Sequence, residues 1–184
     1  VMLAGLGAIV AAGLAVPEPP VADGRAPVAG GIGALLRRPA VWALVGTGFL
    51  LQASHGPYYT FFTLYLGAHG YGEGAAGALW AFGVVAEVGL FALLPRWLPR
   101  HGAVRLLRLA LALTVLRWLL LGLAVDAWPL LLAAQTLHAA SFATCHACTL
   151  HLVQRTFGPA YAGQGQALYS SLGTGAGAAC GAWL

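Results

Sequence analysis

The chain has 184 residues, of which 60% are apolar and 8% charged, against roughly 25% charged in a soluble domain. So little charge cannot keep a folded chain in water, and the mean hydropathy of +0.81 excludes disorder, which needs low hydrophobicity and high charge. All nine basic residues are Arg and give +4 against five acids; lying between apolar runs, they point to membrane orientation and not to nucleic acid.

A membrane-spanning helix needs about 20 mostly apolar residues. Residues 1–16 are apolar but short, and read as the end of a helix. Residues 17–40 form a Gly/Pro/Ala-rich linker that opens with Pro17-Glu-Pro-Pro20 and carries Glu18, Asp23, Arg25, Arg37 and Arg38. Five spans follow: 41–66, ended by the Gly-rich 67–74; 75–94, closed by Pro95; 103–125, ended by a turn at Asp126 and Pro129; 130–153; and one from about 163 onward. Residues 41–184 thus form a helical bundle. Barrel strands are excluded, because they are about 10 residues of alternating character and these runs are long and continuous. With no polar tail after the last span, the chain reads as a piece of a longer membrane protein.

Loop charges support this segmentation. Three Arg fall in 17–38, none in 67–74, four in 95–108 (Arg96, Arg100, Arg105, Arg108), none at the Asp126 turn and one, Arg155, in 154–162. Spans of alternating direction put these eight on one side, the cytoplasmic one by the positive-inside tendency.

The ninth, Arg117, is inside the third span, where a charge costs about 2.5–3.5 kcal/mol on insertion scales and needs a partner. Glu87 is the only acid inside a span. At 1.5 Å per residue, Glu87 lies roughly 12 Å and Arg117 roughly 20 Å from the cytoplasmic ends of adjacent antiparallel helices. An ion pair is expected, either as a site for solute or coupling or as a static structural pair.

In the fourth span, His138, Ser141, Cys145 and Thr149 share one helix face, with His146 about 80° away. The first span has its own stripe of Gln52, His55, Tyr59 and Phe62, with Tyr58 beside it. Each His reads equally well as a packing residue; His138 is preferred because its face carries other polar groups. Cys145-His-Ala-Cys148-Thr-Leu-His151 only superficially resembles a metal signature, since structural zinc takes four ligands, and no metal is expected. Gly173, Gly177 and Gly181 form a small-residue ridge for close helix packing. Phosphate-loop, dinucleotide and hydrolase motifs are absent from the sequence, so no enzyme activity and no cofactor are expected.

These segments resemble the major facilitator superfamily, in the branch of phenylpropionate-permease-like, lactose-permease-like and nucleoside-permease-like transporters. The resemblance rests on Ser54-His-Gly-Pro-Tyr-Tyr-Thr-Phe-Phe62, Trp80-Ala-Phe-Gly-Val-Val-Ala-Glu87-Val, Leu116-Arg117-Trp118, Gln135-Thr-Leu-His138-Ala-Ala-Ser-Phe-Ala-Thr-Cys-His146-Ala and Gly165-Gln-Ala-Leu-Tyr-Ser-Ser171, and so covers nearly all of 37–184. It implies an all-α fold of twelve spans in two halves. This chain would hold the end of helix 6, the central cytoplasmic linker and helices 7 to 11 of the C-terminal half, with helix 12 missing. Pro95-Arg96-Trp-Leu-Pro-Arg100-His-Gly102-Ala-Val-Arg105 falls at the superfamily's basic loop between helices 8 and 9, without the usual Asp.

In lactose-permease-like relatives an acid, an Arg and a His in helices 8, 9 and 10 act in proton coupling and substrate binding. Glu87, Arg117 and His138 occupy similar places. The resemblance implies a secondary transporter of the bacterial inner membrane that couples protons to a small organic solute by alternating access, with the N-terminal six-helix half as partner. His55, Tyr59, Arg117 and His138 would line the solute site. Two alternatives remain: a drug-type proton antiporter of the same fold, and a haem-binding redox protein with His55 and His138 or His146 as axial ligands.

Overall fold

The computed structural model describes residues 31–183; the segment 1–16 and most of the expected linker lie outside them. The described residues are helical almost throughout. A short helix, α1 (Gly31–Leu36), precedes α2 (Pro39–Ala68), α3 (Glu73–His101) and α4 (Ala103–Leu123). A fourth long rod consists of α5 (Trp128–Ala139), a π-helical segment (Ala140–Thr144) and α6 (Cys145–Phe157). After a 3-10 turn (Pro159–Tyr161), the fifth consists of α7 (Ala162–Leu168), a second π-helical segment (Tyr169–Gly175) and α8 (Ala176–Trp183).

Five rods match the five expected spans, with two differences. First, α3 runs through Pro95 and Pro99 to His101, so Pro95 does not close it. Each Pro deletes one i→i−4 bond, a loss that membrane helices tolerate. The expected basic loop therefore shrinks to Gly102, whose φ of 78° belongs to the left-handed region that favours glycine. Arg96 and Arg100 end α3, and Arg105 and Arg108 open α4. Second, part of the linker is helical. Leu35 of α1 is fully buried with Val41, Val153, Phe157 and Tyr169, an apolar anchor inside a stretch whose Gly and Pro content reads as open loop.

Unbroken α3 and α4 each hold a window of mean hydropathy 1.9 that is long enough to cross a membrane. The outward side chains are apolar: Leu50 is 70% exposed, Val85 68% and Leu123 83%. Water would penalise such a surface, whereas lipid does not. The interior has three apolar clusters among the described residues. One lies at the α2–α3 and α4–α5 turns (Phe62, Leu66, Leu79, Leu121, Leu131). A second packs the start of α4 on α6 (Leu106, Leu107, Ala110, Cys145, Cys148), and the third is the Leu35 cluster.

The last rod lies along α2, and the glycine ridge sets that approach. A Cβ on Gly173 would meet the Val45 carbonyl oxygen at 3.3 Å, and one on Gly177 the Phe49 backbone. A Cβ on Gly181 would run into the Ala53 carbonyl, while Gly56 faces the Gly181 backbone itself. Ala53 is four residues before Pro57, which has no N–H to offer its carbonyl.

Candidate functional site

At mid-depth, between the apolar clusters, α2, α3, α4 and α5 bring polar side chains together. Arg117 of α4 is fully buried. Its Nη1 lies 3.2 Å from His55 Nε2, and its guanidinium sits 4.2 Å above the Tyr58 ring and 4.4 Å from the Trp118 ring. His55 Nδ1 is 2.8 Å from the Leu51 carbonyl one turn earlier. A carbonyl only accepts, so Nδ1 carries the proton and Nε2 accepts from Arg117. The helical i→i−4 contact thus fixes the tautomer that receives the buried cation.

Glu87 Oε2 lies 3.7 Å from His138 Nε2, an ion-pair distance longer than a hydrogen bond. The direct Glu87–Arg117 pair expected from sequence is not formed: Arg117 is held by His55 and Tyr58, and Glu87 faces His138. The physical reason lies in packing. α3 and α4 are joined by the single Gly102 but touch little, because α3 packs chiefly on α5 while α4 packs on the α5–α6 rod. Gly83 of α3 lies at that contact: a Cβ there would stand 3.5 Å from the His138 ring and 3.8 Å from Gln135, ordinary packing distances.

Tyr58 donates to Gln135 Oε1 at 3.1 Å. Around them Tyr59 stacks on Trp80 at 6.0 Å, Tyr58 lies 4.8 Å from Trp80, and His55 meets the edge of Trp118 at 4.9 Å. His55 and His138 are 6.4 Å apart, ring to ring. The cluster therefore includes all five residues named from sequence for coupling or solute: His55, Tyr59, Glu87, Arg117 and His138. Sequence reasoning missed Gln135 and gave Tyr58 and Trp118 no role. Gln135 precedes His138 by three residues, a helical spacing that could have flagged it.

Five buried polar atoms have no protein partner among the described residues: Arg117 Nε and Nη2, Trp118 Nε1, Gln135 Nε2 and His138 Nδ1. Four of them can only donate. Nε and Nη2 form one edge of the guanidinium, the fork that takes a carboxylate through two parallel bonds. The cluster thus gathers unpaired buried donors among aromatic rings, a chemistry suited to an anion. On the other side of His55, a cavity of about 220 Å³ is lined by Gln52, Ser141, His146, Tyr169 and Thr174.

The His138 face is buried through Ser141, Cys145 and Thr149. The π-helical turn follows it directly, and such turns are frequent at functional sites. His146 is exposed and stacks on Phe142, which stacks on His138. The haem alternative loses its common ligand, since both ring nitrogens of His55 are engaged. No group of three or more His, Cys, Asp or Glu side chains is placed to hold a metal among the described residues.

An all-helical bundle with a lipid-suited surface and a buried cation defines an integral membrane protein. A family model described as MFS_1 like family matches residues 20–184. The chain belongs to that family, within the major facilitator superfamily. It is 36% identical over 134 residues to the probable 3-phenylpropionic acid transporter of Escherichia coli (strain K12), an alignment that covers 73% of this chain and 35% of that protein. The chain thus spans a minor part of that relative's length. No solved structure matches significantly.

Proposed function

We propose that this chain forms the C-terminal half, helices 7 to 11, of a secondary transporter in a bacterial inner membrane that carries a small aromatic carboxylate by proton symport. The carrying observation is the Nε/Nη2 edge of Arg117, buried among aromatic rings without an acceptor among the described residues. A carboxylate satisfies that edge, and Tyr58, Tyr59 and Trp80 offer ring faces to an aryl group. The compound in that relative's name, 3-phenylpropionic acid, has both features.

Glu87 carries the coupled proton in this reading, with His138 as its neighbour. His55 holds Arg117 in place from behind, leaving the fork open. The N-terminal half supplies the opposite wall, and the halves rock about a midplane site. The Arg-rich ends of α3 and α4 face the cytoplasm.

Uptake by the full polypeptide in energised vesicles tests this. Labelled 3-phenylpropionate should accumulate, driven by proton entry down its gradient. Glu87→Gln should abolish accumulation while sparing exchange, which needs no net proton movement. Arg117→Ala should weaken solute binding on the order of tenfold or more, the worth of a charge-assisted contact. Wild-type accumulation in Glu87→Gln would remove the coupling role, and unchanged affinity in Arg117→Ala would remove the carboxylate site.

A further inference from the structure

A large cavity lies away from the polar cluster. It is a groove of about 480 Å³ between α3 and α4, floored by the end of α5 and the π-helical segment that follows it (Thr136, Leu137, Ala140, Thr144). α3 contributes Ala86, Gly89, Leu90, Leu93 and Trp97; α4 contributes Leu106, Leu109, Ala110 and Leu113. A Cβ on Gly89 would meet nothing within 4 Å, so the missing side chain leaves real space. The groove exists because α3 and α4 both pack on the rod behind them and little on each other.

The two walls end in charge. On α3 the lining recurs at 86, 89/90, 93 and 97, and the next positions of that stripe are Arg100 and His101. On α4 it recurs at 113, 109/110 and 106, and the stripe continues back to Arg105. All three side chains are exposed at the end of the groove. Trp97 sits one turn inside them, the depth at which membrane proteins place aromatic anchors. Among the described residues no carboxylate pairs with Arg100 or Arg105; Glu73 and Asp126 lie at the opposite helix ends and Glu87 at mid-helix.

We propose that this groove binds one anionic phospholipid from the leaflet that meets the α3–α4 turn, its acyl chain along the groove and its phosphate between Arg100 and Arg105. An apolar slot running inward from a cationic mouth matches both parts of such a lipid, whereas a water-soluble anion matches the mouth alone. A zwitterionic lipid fits the slot but leaves the cations uncompensated. Basic pockets between membrane helices select anionic headgroups on this ground.

The test uses the full polypeptide in mixed micelles and native mass spectrometry, titrating phosphatidylglycerol or cardiolipin against phosphatidylcholine. The wild type should retain one anionic lipid in preference to phosphatidylcholine. Arg100→Gln with Arg105→Gln should weaken retention on the order of tenfold or more. Gly89→Trp should block it with both arginines intact, while Arg37→Gln with Arg38→Gln, at the same membrane face but off the groove, should leave it unchanged. Circular dichroism confirms that each variant is folded, and Arg100→Lys should restore binding in part. Equal retention of both lipid classes overturns the headgroup assignment. Unchanged retention in Gly89→Trp overturns the groove, as it would if another protein segment filled it.

Discussion

Replacing His55 by Ala removes the one acceptor that Arg117 Nη1 has among the described residues and should destabilise the protein through that loss as well as through lost packing. The bond is 3.2 Å long, beyond the 2.7–2.9 Å of strong charge-assisted bonds. Bonds to charged groups are worth about 1.5–3 kcal/mol net in soluble proteins. Double-mutant cycles in a membrane protein average about 0.6 kcal/mol with a ceiling near 1.7, since the unfolded chain also finds partners. The long geometry and the membrane reference both favour the lower range, so the His55–Arg117 coupling should be about 1 kcal/mol. His55→Ala alone should cost about 2–3 kcal/mol, because the imidazole also packs against Trp118. The assay is reversible unfolding in mixed micelles of His55→Ala, Arg117→Met and the double variant, beside a Glu87→Gln/Arg117→Met cycle. The double should be more stable than the summed singles predict. A His55–Arg117 coupling within about 0.3 kcal/mol of zero, with a Glu87–Arg117 coupling above about 1 kcal/mol, would refute the pairing and restore the direct ion pair.

Gly181→Val should sharply lower the yield of folded protein, because its first carbon already collides with the Ala53 carbonyl and overpacking costs about 1–3 kcal/mol or more; Gly163→Ala, in open space, should not, and equal yields would contradict the helix contact. Tyr58→Phe should cost about 1–2 kcal/mol in unfolding assays, since Gln135 Oε1 loses its donor while Nε2 already lacks an acceptor. Cysteines at Arg100 and Arg155 should react from the cytoplasm, and cysteines at Glu73 and Asp126 from outside; labelling of Arg100→Cys only from outside in sealed cells would reverse the orientation.

Apolar runs of membrane length forced helices, because backbone groups in lipid must bond within their own segment. The order of the rods, the turns after Ala68 and Leu123 and the concentration of Arg at alternate turns follow from that pattern. So does the isolation of Glu87 and Arg117, since charge inside an apolar run is visible without a fold. What sequence could not decide was rotation and register. Whether Arg117 meets Glu87 or His55 depends on how α3 and α4 turn about their axes, and that is set by packing on the α5–α6 rod. Uniform 3.6-residue periodicity cannot announce the π-helical turns at Ala140–Thr144 and Tyr169–Gly175. The continuation of α3 through Pro95 and Pro99 overrode a local breaker signal, because a helix in lipid gains nothing by unwinding. The donor fork of Arg117 and the groove ending at Arg100 and Arg105 are likewise properties of several helices at once, and only the tertiary structure assembles them.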